Sequence, residues 1–508
     1  MTIVKPTIRM DAADNVVNAR CDLPAGTVCP EEGMTTVEEI TGGYKVATKA
    51  IKAGESVIRY GIVIGHATQD IQPGECVHKH NLEQNEYKVE NNFCEKYVPT
   101  VLAPESERPT FQGIVRKDGK VGTRNFIGVF SCSNCAAGVA RKIAAKFGDE
   151  IKEKYPNVDG VVPFIIDFGC CMENSGDPMD TLRNVTGRIV RHQNMGGAVF
   201  ISLGCERNNI KDLMESQGLE YSDTFKAFCI QEVGGSQRTI AAGVKAVEEM
   251  LPIVNQVQRV PCSVEHLTVA LQCGGSDAFS GISCNPALGY AMDKLVRFGG
   301  SCIVAETTEI PGAEHTLTAR AATPEVAQKL VDKVAWWFEY SKGKPTQING
   351  ATNPGNVKGG ITTIPEKGMG VLRKGGTTAL VDVLDYGETL TKPGFNFMDT
   401  PAFDPVSLTG EVAGGCNLSV FTTGRGSCFG SNPAPTTKLI SNTPMFKKME
   451  DDVDINCGTI VDGDKTLEEV GEEIFQFLIE VASGRKTKSE LLGFGEEDFR
   501  IWWKGCIS

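Results

Sequence analysis

Nowhere does this 508-residue chain stay apolar for anything near the ~18 residues that a membrane-spanning helix requires, so no helical membrane protein and no membrane partner is expected. Cationic excess is missing as well. Against 64 aspartates and glutamates stand 51 lysines and arginines, a formal charge of -13. That balance lacks the phosphate-neutralising surface nucleic acid needs, and an anionic small molecule would require a locally positive pocket. The phosphate-loop pattern GxxxxGK[ST] is absent, and neither GGSDAFSG nor TGRGSCFG reads as GxGxxG ahead of a helix, so nucleotide binding is not supported. The opening MTIVKPTIRMDAADNVV has no basic stretch before a long apolar one, so no secretory signal is read and a cytoplasmic protein is expected. Histidine is scarce at six residues.

What is abundant is cysteine, with 18 residues, and glycine, with 56. Without an export signal, such thiols read as buried packing groups, metal ligands or catalytic groups, not as a disulfide framework. The length implies about three structural units. Residues 1–82 carry short Val/Ile-rich segments punctuated by Gly and Pro, as in YKVATKAIKAGESVIRYGIVIG, the pattern of a small β domain. Residues 83–112 turn polar and proline-bearing, as in a connection. From 113 to 508, apolar strands alternate with helical stretches, which predicts a mainly parallel α/β region, too long for one core and so divided into subdomains at about 113–260 and 261–508. FIGVFS, GVVPFIIDF, GAVFISLG, LTVALQ, SCIVAE, TALVDV and LSVFTT read as strands; PEVAQKLVDKVAWWFEYSKG and LEEVGEEIFQFLIEVASGRKT read as helices. Trp336 and Trp337 read as core packing.

The informative regularity lies at the ends of the strands. FIGVF leads into SCSNCAAG, FIIDF into GCCMENSG, AVFISL into GCERNN, and TVALQ into CGGSDAFSG. Ligands of open α/β sheets bind at the carboxyl ends of strands, so Cys135, Cys170, Cys205 and Cys273 could converge on one site as ligands for iron, alone or in an iron–sulfur cluster. Cysteine also fits tight strand-to-helix turns, and spacing alone does not separate these readings. Only Cys132 and Cys135 form a CxxC, which argues against a local zinc module. SCIVAE runs into TTEIPGAEH, placing Glu306 and Glu309 at another strand end, and LSVFTT runs into GRGSCFG with Arg425. KDGKVGTRNF sets Arg124 and Asn125 before the first strand of the large region, and CVHKHN would set His78 and His80 on one face of a strand.

Taken together, RKDGKVGTRN, SNCAAG, FGCC, LGCE, QCGGSDAFSGISCNPALG, TTEIPGAEH, NPGNVKGG, TTGRGS and DINCGTI resemble the altronate/galactarate dehydratase family of sugar-acid hydro-lyases, with the first 82 residues resembling its small SAF domain. The resemblance implies dehydration of a linear sugar acid to a 2-keto-3-deoxy acid, D-altronate first and galactarate as the alternative, with Fe2+ or Mn2+ as activator. It further implies proton transfer by Glu306, Glu309 or the His78/His80 pair, substrate contacts from Arg124, Asn125, Ser276, Asp277, Lys358 and Arg425, and Cys135, Cys170, Cys205 and Cys273 as ligands of a metal or cluster. A homo-oligomer is expected. Departures from the family pattern are Ile166 and Phe168 where relatives carry His and Tyr, Lys358 in place of a basic residue at Val357, and GRGSCFG. Two other readings stay open: sulfite elimination from a sulfolactate-like acid, and a non-catalytic sugar-acid or iron-binding protein.

Overall fold

The computed structural model describes residues 5–84, 92–148, 150–343 and 353–505, so residues 85–91 of the expected connection lie outside the described residues. The N-terminal text folds as antiparallel strands. One sheet has the order Thr7–Ile8, Val16–Ala19, Lys45–Ala47, Cys76–Val77, and another pairs Ser56–Arg59, Ile62–Ala67 and Leu82–Glu83. His78 and His80 are not in a strand. They occupy the turn after Cys76–Val77, closed by Asn81, whose backbone N–H donates to the His78 carbonyl at 3.0 Å and whose Oδ1 accepts from the His78 N–H at 2.9 Å. A turn does not alternate its side chains, so the two rings share no face.

Two parallel sheets come next, as the alternating pattern predicts. The first has four strands in the order Gly160–Phe164, Phe126–Ser131, Met195–Ser202, Phe225–Cys229. The second has seven, in the order Leu380–Leu384, Phe395–Met398, Ser301–Val304, Thr268–Cys273, Leu418–Thr423, Thr436–Ile440, Ile455–Asn456. Phe126–Ser131 and Leu418–Thr423 are buried at every position, as expected when helices cover both faces of a parallel sheet. In the second sheet the chain starts at Thr268–Cys273, builds to one side, then crosses to Leu418–Thr423 on the other. This reversal is a topological switch point, and open α/β sheets bind ligands at the carboxyl ends of the strands beside it.

The long helices have readable starts. Thr323 caps Pro324–Ser341 by accepting from the Val326 N–H, and Thr466 with Glu469 forms a capping box for Leu467–Ala482. The two sheets share a core. Phe130, Phe164 and Phe200 of the first stack together and join Phe421 and Met398 of the second, with Phe429 of the loop that follows Thr423, in one buried cluster. Trp337 is buried as expected, but Trp336 is 46% exposed and stacks on Tyr340.

Candidate active site

Cys273 ends a strand, and Glu306 and Glu309 come just after the next one, Ser301–Val304, so the parallel pairing of these strands sets the three at one sheet edge. The Cys273 Sγ and one carboxylate oxygen of each glutamate lie within 4.8 Å of one another. Glu306 takes a left-handed backbone, φ 76°, a conformation that costs a non-glycine residue of order 1–3 kcal/mol and persists where its surroundings enforce it. Here the enforcement is visible: its N–H donates to Thr400 Oγ1 at 3.0 Å, and its carbonyl accepts from the Glu309 N–H at 2.9 Å. Glu306 Oε2 and Glu309 Oε2 are both buried without a hydrogen-bond partner.

Around this trio stand charges of both signs. Lys374, fully buried on the turn Arg373–Gly375, donates to Cys273 Sγ at 3.4 Å. Lys367, on the helix Ile364–Leu372, is ion-paired with Glu309. Asp404 lies against Gly274, where a Cβ would meet Asp404 Oδ2 at 2.7 Å; glycine is what lets this carboxylate approach the strand end. Beneath, the buried Glu411 accepts from Gln272 Nε2 at 2.5 Å and from the Leu271 N–H at 3.3 Å.

Burial dominates the electrostatics. It raises Glu306 well above the usual carboxylate range, with Glu309 and Asp404 adding repulsion. Burial, reinforced by Glu309, pushes Asp404 up to about 7, and burial pushes Glu411 up to about 7 and the Cys273 thiol up to about 11. Burial disfavours charge on Lys367 and Lys374, yet the opposing Glu309 and Cys273, respectively, hold each above its ordinary value. The donor set of one thiol and two carboxylates with unpartnered oxygens suits a divalent first-row metal such as iron or manganese. The same enclosure, with two lysines, suits a small acid whose charge grows during reaction.

The other residues singled out from the sequence fall in three places. Ser276 and Asp277 lie on the loop after Gly274, but Asp277 is held in the fold: Oδ1 accepts from the Ser280 N–H and hydroxyl and from Ser441, and Oδ2 from Asn442. The Ser276 carbonyl accepts from Asn356 Nδ2 at 2.8 Å. Lys358 and Arg425 are exposed on neighbouring segments, with Arg425 Nη1 donating to the Gly355 carbonyl at 2.8 Å. His78 reaches this rim from the N-terminal β domain. Its ring stacks on Tyr44 and its Nε2 is 3.0 Å from the Val357 carbonyl, whereas His80 is exposed.

Arg124 and Asn125 are corrections. They precede the strand Phe126–Ser131 and so sit at the amino edge of the sheet, opposite the edge where ligands bind. Arg124 spends its guanidinium on Glu490 and on the carbonyls of Thr123, Val481 and Arg485. Asn125 donates to the carbonyls of Asn157 and Val254 and accepts from Arg116. Neither has a group left for a substrate. Nor do the four thiols meet at one point: Cys273 has Glu306 and Glu309 for neighbours, while Cys135, Cys170 and Cys205 crown the four-stranded sheet. Lys367, Lys374, Asp404 and Glu411 escape the sequence reading, because none lies in a motif and only the tertiary fold brings them to Cys273.

Comparison with known proteins matches family models to three consecutive stretches of the chain. The family description "Altronate/galactarate dehydratase SAF domain" matches residues 5–85, "D-galactarate dehydratase/Altronate hydrolase, second domain" matches 113–255, and "D-galactarate/Altronate dehydratase, C-terminal" matches 264–507. The galactarate dehydratase (L-threo-forming) of Escherichia coli (strain K12) is 37% identical over 94% of this chain and 93% of its own. The altronate dehydratase of Bacillus subtilis (strain 168) is 32% identical over 97% and 98%, and that of Escherichia coli (strain K12) 32% over 96% and 97%.

Proposed function

The chain belongs to the altronate/galactarate dehydratase family, hydro-lyases of sugar acids, and from that premise we propose that it removes water from a linear six-carbon sugar acid at the Cys273/Glu306/Glu309 centre to give a 2-keto-3-deoxy acid. One observation carries the placement: two buried glutamates, each with a partnerless oxygen, stand with a thiol at the carboxyl ends of adjacent parallel strands, beside Lys367 and Lys374.

Cys273, Glu306 and Glu309 would hold Fe2+, with Mn2+ the alternative. When bound, the cation supplies Lewis-acid stabilisation of negative charge developing beside the substrate carboxylate. The family resemblance assigns both glutamates to proton transfer; their unpartnered oxygens favour giving them to the cation. Asp404, partly exposed beside them, is the carboxylate placed to carry a proton from C2 toward the departing C3 hydroxyl. Lys374 and Lys367 supply the locally positive surroundings that a net charge of -13 denies elsewhere.

Galactarate is the first substrate to test, because the galactarate dehydratase shares 37% of aligned residues against 32% for the two altronate dehydratases over similar shares. D-Altronate is the second, on the sequence features VLDYGE and PGFNFMDTPA. The experiment is an anaerobic assay with ferrous iron against a panel of aldarates, aldonates and sulfolactate, monitoring 2-keto-3-deoxy product and sulfite. Product from a sugar acid, lost on chelation and restored by iron, supports the reading. Sulfite release alone, or activity untouched by chelation, overturns it.

A further inference from the structure

A second group of chemistry-bearing side chains stands at the carboxyl edge of the four-stranded sheet, outside the Cys273 centre. The strands Gly160–Phe164, Phe126–Ser131 and Met195–Ser202 are hydrogen-bonded neighbours, and the loops that leave them carry Cys170, Cys135 and Cys205. Adjacent strands are ~4.8 Å apart, so these loops crowd together. They are also stapled. The Asn208 N–H donates to the Gly169 carbonyl at 2.9 Å, its Nδ2 donates to the Cys132 carbonyl at 2.9 Å, and Arg207 donates to the Met172 carbonyl. Gly169 has φ +98°, and a Cβ there would stand 2.6 Å from the Cys132 carbonyl oxygen, so glycine is what allows the first two loops to close.

The thiols point to a ligand by their exposure. Free cysteine is ordinarily among the most buried residue types, and Cys132, Cys262, Cys284, Cys302, Cys416 and Cys457 obey that rule. Cys135, Cys171 and Cys205 are exposed and Cys170 is half-buried, with Cys170 in hydrogen-bonding contact with both Cys171 and Cys135. A second observation lies between Cys132 and Cys135. Ser133 occupies the cap position of the helix Asn134–Ala144 without making the cap hydrogen bond, and its Oγ, fully buried, has no partner at all.

Size decides the class of ligand. A single tetrahedral ion with metal–sulfur bonds of ~2.3 Å needs its sulfurs within about 4.6 Å of each other. Among the described residues only Cys273, Glu306 and Glu309 form a ligating trio that tight, and Cys135, Cys170 and Cys205 do not. An iron–sulfur cluster distributes its thiolates over several iron atoms and accepts wider spacing, and hydrogen bonds to its sulfurs from groups such as Ser133 Oγ are part of how proteins tune it. We propose that Cys135, Cys170 and Cys205 hold a [4Fe–4S] cluster, with the exposed Cys171 thiol beside Cys170 at its edge, in a site separate from the Cys273 centre. This site does not depend on which acid the enzyme dehydrates.

The full chain, reconstituted anaerobically with ferrous iron and sulfide, tests the assignment without any substrate. Iron and acid-labile sulfide are to be measured together with absorption near the visible-blue edge and Mössbauer spectra of iron-57. The expected result is about four sulfides per chain and a cluster spectrum. Cys135→Ser, Cys170→Ser and Cys205→Ser should each remove most of the cluster signal, and Cys273→Ser should leave it. All three side chains stand on loops or at a helix start and none is fully buried, and circular dichroism of each variant separates cluster loss from unfolding. Iron without labile sulfide, a zinc ion, a Cys135–Cys170 disulfide in the metal-free chain that resists reconstitution, or a cluster that survives all three substitutions would each overturn the proposal.

Discussion

Glu306, Asp404 and Glu411 are three buried or partly buried acids within one centre, and their surroundings assign them different work. Glu306 is strained at φ 76° and has an orphan oxygen, which fits a cation ligand. Asp404 is the one that solvent reaches. Asp404→Asn should therefore lower kcat by ~10²-fold or more, the scale of lost acid–base catalysis, while leaving bound iron at its original amount. Glu306→Gln should lose iron as well as activity. Metal analysis beside steady-state kinetics distinguishes the two. Glu411 lies beneath, reached by Gln272 and Leu271, and its role is read from stability. Its folded pKa, about 7, exceeds the unfolded value of 4.5, so its protonated form stabilises the fold below pH 4.5 and that contribution is lost as pH rises through 7. Glu411→Gln should accordingly gain about 3 kcal/mol relative to the parent between pH 4 and pH 8, measured by denaturant titration.

At the scale of elements, the helix Ile364–Leu372 joins the SAF domain to the active centre through two adjacent residues. Glu366 accepts from Lys45 at 2.8 Å and from Arg59 at 2.5 Å, all three fully or almost fully buried, while Lys367 pairs with Glu309. Breaking a buried pair from one side costs several kcal/mol because the other charge is left unpaired. Lys45→Met leaves Glu366 with Arg59, whereas Glu366→Gln leaves two buried cations facing each other. The second variant should be the less stable by thermal denaturation, and it should also disturb catalysis through the shift of Lys367. This helix shows why the site is only partly legible in the sequence. Cys273, Glu306 and Glu309 stand directly after strands that the apolar pattern predicts, so the rule of carboxyl strand ends finds them. Lys367 and Lys374 come from a helix and a turn with no motif of their own, and Thr436–Ile440, reading TTKLI, is too polar to announce a buried strand.

Across the whole molecule, three buried ion pairs centred on two glutamates hold separate units together. Lys45 and Arg59 tie the SAF domain to Glu366, and Arg124 of the four-stranded unit ties to Glu490. Despite burial, the paired cations hold Glu366 and Glu490 down at about 2, below the unfolded value of 4.5. Depressed carboxyls contribute stability that is present above pH 4.5 and lost as pH falls toward 2. Acidification through this window should loosen the units from one another before their internal sheets melt. Small-angle scattering should show expansion at a pH where far-ultraviolet circular dichroism is still native, and coincident changes would contradict it.

The sequence by itself determined the elements, the parallel architecture and the family, because apolar periodicity and strand-end motifs are local signals that survive without coordinates. It also marked Cys273, Glu306 and Glu309. Tertiary structure alone decided that Arg124 and Asn125 serve the opposite edge, that His78 and His80 lie in a turn, and that Cys273 parts from the other three thiols. The reason is physical: strand order, which no local pattern encodes, determines which loops become neighbours, and burial then determines which charges there must find partners.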